Sequence, residues 1–460
     1  MSVFRAYLLE QPAHIEEVLS GNDAPERAEY FLAFRNLVSY LPILVENPGK
    51  TMRSVDSRFV FFDGLRGLAA LNVAMSHFLV AFDFAIYTGK VENSHGSWDV
   101  ALSAYPFLFV AAGANFSVSI FLALSGFVLA NSFHNSRLAL PGLLVKRTIR
   151  LGVPVLAASL LGWALLESGL IFNQRIAAIT KSDWLAKQFS QSDPSFADGL
   201  YQAWNSLLGN ATLDNSYNSV LWTMPIEFVG SIVLILVFCT GISRISKTGA
   251  GILLLLLGAV VGRTFVSIML FGGSAYLLQA HRFASRLKWR FPILLLICFL
   301  GTVPFSVARG PYWDAMVSVM GFVPSINWYV PGFINQGNVS LWHEISAVAL
   351  VVLLSGWEAA QKALSGRVFK YLGKISFPLY LTHIPALFSA GCFGFMVADA
   401  AGATYPVAVA VAFFAYVPTA FIFALAMEWL VDIRAIALAA AVSGTMATRG
   451  RAADAIVSRT

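Results

Sequence analysis

Residues 61–82 read FFDGLRGLAALNVAMSHFLVAF, an apolar run that nevertheless carries Asp63, Arg66 and His77. About 20 residues are what an α-helix needs to cross a hydrocarbon core ~30 Å thick. The run is therefore a membrane span with three ionisable groups in it. His77 follows Arg66 by three turns of helix, at 100° and about 1.5 Å per residue, so the two side chains share one face roughly 16 Å apart along the axis. Asp63 falls one turn earlier on the same stripe. An ionisable group inside a bilayer is costly and marks a functional site unless its side chain can snorkel to the surface. Arg66, near the helix start, can do so; His77, near mid-membrane, cannot.

The rest of the chain is of the same kind. Of its 460 residues 57% are hydrophobic and 12% charged, and the mean hydropathy is +0.70, too apolar for a soluble globular protein. Long apolar runs recur without the period-2 alternation of a membrane barrel, so they read as helices. The expected fold is an all-α polytopic membrane protein of about ten transmembrane helices, near 63–84, 105–133, 148–170, 218–240, 249–262, 264–280, 291–308, 339–357, 376–398 and 406–430. Residues 59–434 would be this ten-helix membrane domain. Residues 1–58 would be a cytoplasmic extension without a signal-peptide pattern, partly amphipathic through Phe31, Phe34, Leu37, Val38 and Leu41. Residues 435–460 would be a cytoplasmic tail.

The fifth and sixth spans are short, and only Gly262 and Arg263 separate them, so one helix over 249–280 is the rival reading. Loop charge decides between the two. With ten spans and both termini cytoplasmic, all of the 31 Lys and Arg residues except Lys90, Arg175, Lys181, Lys187, Arg263 and Arg309 fall on the inner side, as the positive-inside bias requires. A merged helix would send HRFASRLKWR (281–290) to the wrong side. The expected location is the cell's inner, cytoplasmic membrane, crossed many times. The net charge of +6 and pI near 9.2 are then anchors against membrane lipids and call for no nucleic acid. Cys239, Cys298 and Cys392 lie within predicted spans, show no metal-ligand spacing and read as buried small apolar residues. No metal is implied.

Five blocks carry a resemblance. DGLRGLAALNVAMSH (63–77) resembles the opening signature of the acyltransferase-3 family of integral membrane acyltransferases, in which an arginine, ten residues and a histidine mark the first helix. FSVSIFLALSGFVLANSF (116–133) is similar to the family's second block through Ser125, Gly126 and Phe127. KRTIRLGVP (146–154) resembles the third through Lys146, Arg147, Arg150 and Pro154. SVLWTMPIEF (219–228) resembles the fourth through Trp222 and Glu227, and LGKISFPLYLTHIP (372–385) the late block through Ser376, Tyr380, Leu381 and His383. The late block departs from the family pattern at Phe377, where a tyrosine is usual, and Pro378 follows it.

The residues also carry their own physical reading. Lys146, Arg147 and Arg150 are three and four apart and form one cationic face, suited to the phosphates of coenzyme A or simply to topology anchoring. Ser125 and Gly126 allow close helix packing or a narrow path for an acyl arm. Glu227 lies two residues after Pro225, which removes a helical hydrogen bond and frees a carbonyl; its depth suggests a carboxylate that orients His77 or holds an acceptor, or else a plain charge pair. Ser376, Tyr380 and His383 make one polar stripe that lines a pore, binds a donor arm or is satisfied across helices. Trp342, His343 and Glu344 could meet an acceptor from outside.

The resemblance implies a membrane O-acyltransferase. It would take an acyl group, acetyl most simply, from cytoplasmic acyl-CoA (acetyl-CoA) and pass it to a hydroxyl-bearing acceptor, a carbohydrate of the cell envelope or a secreted product. His77 would be general base and Arg66 would hold a donor phosphate or stabilise developing negative charge, with Glu227 as their catalytic companion. Donor and acceptor contacts would come from Asp63, Ser125, Lys146, Arg147, Arg150, Ser376, Tyr380 and His383. A secondary transporter or a non-catalytic lipid-binding protein would carry similar intramembrane charges.

Overall fold

The structure is a computed structural model that describes residues 59–103, 114–136, 138–189, 195–208, 216–262, 264–303 and 338–457. The amphipathic pattern of 1–58 and the aromatic run FVPSINWYVPGF (322–333) lie outside the described residues. The protein is all-α. Helix α1 (Val60–Phe82) is followed by α2 (Asn115–His134), α3 (Leu140–Glu167), α4 (Ser219–Cys239), α5 (Lys247–Val261), α6 (Phe265–Leu277), α7 (Arg290–Gly301), α8 (Asn338–Ser355), α9 (Arg367–Ala400), α10 (Tyr405–Met427) and α11 (Ile433–Val457).

A helix lies at each expected span, but not all are long enough to cross alone. Among the described residues, six helices are long and apolar enough for a membrane: α1 to α4, α9, and α10 with its continuation. A seventh is added if α8 and Glu358–Leu364, bent by 99°, make one span. At about 1.5 Å per residue, α5, α6 and α7 fall short of a ~30 Å core. The end of the chain also differs from expectation. Instead of stopping near 430, α10 runs through a π turn (Glu428–Asp432) into α11, and Ile149 of α3 packs on Leu438 and Ala439 of α11.

The two short helices form a hairpin, and a merged 249–280 helix does not occur. Gly262 turns the chain at φ 68°, a conformation without steric cost only for glycine. Gly251 then faces Leu277 and Leu278, and Gly258 faces Phe271, so α5 and α6 run antiparallel. On its other face α6 packs against α4, where Gly230 meets Met269 and Leu234 meets Gly273, and against α2. A Cβ on Gly126 would sit 1.9 Å from the Met269 carbonyl oxygen, and one on Gly272 2.1 Å from that of Ala123. The Ser-Gly-Phe block is thus a helix-crossing point at its glycine.

Helices α1 and α9 run parallel in close contact: Gly67 faces Leu372 and Gly373, and Gly373 faces Asp63. Two prolines shape α9. Pro385 leaves the Leu381 carbonyl without its helical donor, and Asn218 Nδ2 donates to it at 2.7 Å. That bond ties the start of α4 to α9 about half a turn before His383.

The connections after α1, α3 and α9 gather at one end of the bundle. Ser182 donates to the Val80 carbonyl at 2.8 Å and Asn93 to that of Lys181 at 2.9 Å. Among the described residues this loop end carries Lys90, Arg175, Lys181 and Lys187, while Lys146, Arg147, Arg150, Arg244, Lys374 and their neighbours mark the basic end.

Candidate active site

His77 and His383 meet between α1 and α9. His77 Nδ1 lies 2.9 Å from His383 Nε2, with the rings 5.1 Å apart at 25°. His383 Nδ1 is 3.1 Å from the Leu379 carbonyl, which can only accept, so Nδ1 carries the proton of a neutral ring. His383 Nε2 is then an acceptor and His77 Nδ1 the donor. The remaining nitrogen of His77, Nε2, keeps its lone pair. His77 borders a cavity of about 370 Å³ at the loop end, together with Ser76, Tyr87, Asn115, Asp183 and Lys187, a volume within the range of small-molecule sites.

The wall over His77 comes from a connection. Ser182 caps the short helix Asp183–Lys187, Leu185 is fully buried, and Asn173 donates to the carbonyls of Leu185 and Gln188 at 2.8 and 2.7 Å. Thus pinned, the helix lays Trp184 against His77, ring centroids 5.3 Å apart at 16°, and against Phe388 at 5.3 Å.

Glu227 does not orient His77. Its carboxylate is engaged by the Arg147 guanidinium and the Ser125 hydroxyl, and Arg147 Nε also donates to Ser231 at 2.9 Å. The pair is largely buried, with side-chain exposures of 10% for Arg147 and 16% for Glu227. The physical reason is local. Pro225 opens the α-helical part of α4, where a missing N–H costs nothing, instead of breaking a helix midway. Glu227 therefore sits in a first turn, whose positive dipole end favours a carboxylate. Arg147 and Ser125 are both engaged in this pairing, which cross-links α2, α3 and α4.

At the basic end Arg150 is exposed and within electrostatic reach of Asp432, Arg147, Arg66 and Glu227. Asp63 lies within reach of Arg66 and Arg150. Lys374 pairs with Glu428 at 3.0 Å. Arg66 thus belongs to a cationic cluster about three helical turns from His77, a placement that suits donor phosphates and not charge developing at His77. Lys146 is partly exposed on the same helix end.

The stripe on α9 splits by residue. Ser376 donates to the Gly373 carbonyl at 2.8 Å within its own helix. Tyr380 meets Thr223 Oγ1 at 2.9 Å and packs edge-on to Phe121. Only His383 reaches the cavity wall through His77. His343 and Glu344 are buried, and His343 Nε2 donates to the Val303 carbonyl at 2.8 Å, so neither faces an outside acceptor. Cys392 is buried but Cys239, at the end of α4, is exposed. The sequence reading did not reach Trp184, Thr223, Asn218 or Asp432; a tryptophan in the polar stretch KSDWLAK (181–187) was the one signal for the first.

The sequence profile of the acyltransferase-3 family, described as "Acyltransferase domain", matches residues 59–430. Among characterised proteins, an "Acyltransferase clz18" of Cochliobolus lunatus is 21% identical over 72% of this chain and 83% of its own length. An "O-acetyltransferase PaAT-1" of Phomopsis amygdali is 23% identical over 72% of each. No solved structure matches the chain.

Proposed function

The chain belongs to the acyltransferase-3 family of membrane acyltransferases, and from that premise we propose that it is an O-acyltransferase moving an acyl group, acetyl most simply, from cytoplasmic acyl-CoA to a hydroxyl of a cell-envelope glycan or secreted product. In this reading the basic end and both termini face the cytoplasm across ten crossings of the cytoplasmic membrane, and the loop end faces outward. The similar fungal protein whose name specifies O-acetyl transfer supports the choice of group and acceptor atom.

One observation carries the reading: the His77–His383 pair leaves His77 a single basic nitrogen, Nε2, and His77 borders the cavity at the loop end. Arg66 and Arg150, with Lys146 beside them, would hold the donor's phosphates, a task that suits a guanidinium at this cationic end. The thioester supplies an activated carbonyl. His77 Nε2 takes the proton from the acceptor hydroxyl as its oxygen attacks that carbonyl. His383, accepting from His77 Nδ1, holds the ring in the tautomer that makes this possible. As the carbon–sulfur bond breaks, His77 returns the proton to the sulfur, so an ester and a free thiol leave a neutral imidazole behind. Arg147 and Glu227 act at a distance by fixing α2, α3 and α4.

The test compares cells carrying the wild-type chain with cells carrying a deletion, by mass analysis of their glycans and secreted products, alongside thiol release from acetyl-CoA by the purified protein. Acetyl esters lost on deletion and thiol released only with that acceptor are expected. Unchanged esters, or thiol release indifferent to acceptor, would overturn the proposal.

A further inference from the structure

A second cavity lies beside the first, on the other side of the segment that leaves α1. Its volume is about 240 Å³, and Asp83, His95, Trp98, Tyr405, Pro406 and Val409 line it. Asp83 is 8% exposed. Its backbone is engaged, the N–H with the Leu79 carbonyl and the carbonyl with the Ile86 N–H, but no described residue gives its carboxylate a hydrogen bond or an ion pair.

Its neighbour is also an acid. Asp99 is fully buried and fully satisfied: it accepts from the Ser94 hydroxyl at 2.6 Å, the Val100 N–H at 2.7 Å and the His95 N–H at 2.8 Å. Burial, reinforced by that charge, pushes the Asp83 carboxyl up to about 6. A buried carboxylate with neither donor nor counter-cation, set beside a second carboxylate, is costly to keep. Three of the nearby donors are committed elsewhere. The Tyr405 hydroxyl donates to the Phe82 carbonyl, His95 Nε2 to that of Thr180 at 3.1 Å, and Lys181 Nζ to that of Ser94 at 2.6 Å. No lysine or arginine lines the cavity.

We propose that this cavity binds an organic ammonium group, with Asp83 as its counter-charge and Trp98 and Tyr405 as aromatic walls. Ring faces attract such a cation, most strongly where it is desolvated, and His95 stacks on Tyr405 at 3.6 Å to brace that wall. The apolar remainder, Pro406 and Val409, suits alkylated nitrogen and cannot replace the oxygen shell of a hard metal ion. No group of three His, Cys, Asp or Glu side chains is arranged for a metal among the described residues. The cavity opens where α10 begins, next to the exposed Val407 and Val411, so the ammonium belongs either to a free amine or to a lipid headgroup.

The experiment is calorimetric titration of tetramethylammonium chloride, against sodium chloride at equal ionic strength, into the full chain in nanodiscs of phosphatidylglycerol alone or mixed with phosphatidylcholine. Saturable binding is expected in the first discs. Its suppression in the mixed discs identifies a lipid headgroup, and its persistence a free amine. Asp83→Asn should weaken binding at least about tenfold, and Trp98→Ala, a change at the exposed rim, several-fold. His77→Ala should leave it intact, which separates this site from the acyl-transfer site. Absence of saturable binding in phosphatidylglycerol discs, or equal affinity in Asp83→Asn and Trp98→Ala, overturns the proposal.

Discussion

Two polar pairs cross the bundle, and they are built oppositely. Arg147 and Glu227 are charged, largely buried and closed on each other, with Ser125 and Ser231 adding further hydrogen bonds. His77 and His383 are joined by one hydrogen bond: His77 Nδ1 donates to His383 Nε2 and His383 Nδ1 to the Leu379 carbonyl, which leaves His77 Nε2 with its lone pair. A closed pair resists change and fixes helices. An open pair can take a proton from something that enters the cavity. In the proposed function this difference gives architecture to the carboxylate and chemistry to the imidazole.

Breaking the closed pair should give the largest loss. Glu227→Gln or Arg147→Ala leaves a buried charge unpaired, which costs about 3–5 kcal/mol, so thermal unfolding in detergent should occur at clearly lower temperature and yield should fall. Replacing both at once, Glu227→Leu with Arg147→Met, should recover much of that stability. A double variant that regains the fold and also transfers acyl groups would sharpen the comparison; one as unstable as the single variants would break it.

The open pair should respond in activity and not in folding. His383→Leu removes the acceptor that orients His77, so turnover should fall by a fraction of the about 10²- to 10⁴-fold that base assistance is worth, with the unfolding midpoint little changed. His383→Gln, whose amide oxygen can still accept from His77 Nδ1, should restore part of the rate. Trp184→Leu should have a smaller effect. Its indole face stabilises a positive ring by about 0.5–2 kcal/mol, so the acidic limb of the pH–rate profile should move to lower pH as the His77 imidazolium becomes less favoured. An unmoved limb would leave Trp184 a packing residue. Arg150→Ala should be mildest on turnover, raising the Michaelis constant for acyl-CoA while kcat holds, because contacts kept equally in ground and transition state act on binding.

Much of this was legible in the chain itself. The spacing of Asp63, Arg66 and His77 placed them along one helix, and loop charge correctly split 249–280 into two helices, since Lys and Arg report sidedness more directly than apolar length does. The sequence marks Glu227 as deep and important but does not show its partner: Pro225 reads as a helix breaker, whereas it begins the helix and sets the carboxylate beside Arg147. Partners across helices follow packing, and no period in the sequence encodes it. His77 and His383 are 306 positions apart, and each looked like the end of a separate stripe. Trp184 stayed invisible because the loop that follows α3, pinned by Ser182 and Asn173, folds back over α1. The number of crossings outran what helix length supports, as α5 to α7 show.

The most direct test of the account is the turnover of His77→Gln, measured in purified protein whose unfolding midpoint and acyl-CoA affinity match wild type. Glutamine keeps a polar group of similar reach but no titratable nitrogen. The account predicts a loss of about a hundredfold or more. Activity above about a tenth of wild type would contradict it, because hydrogen bonding alone would then suffice.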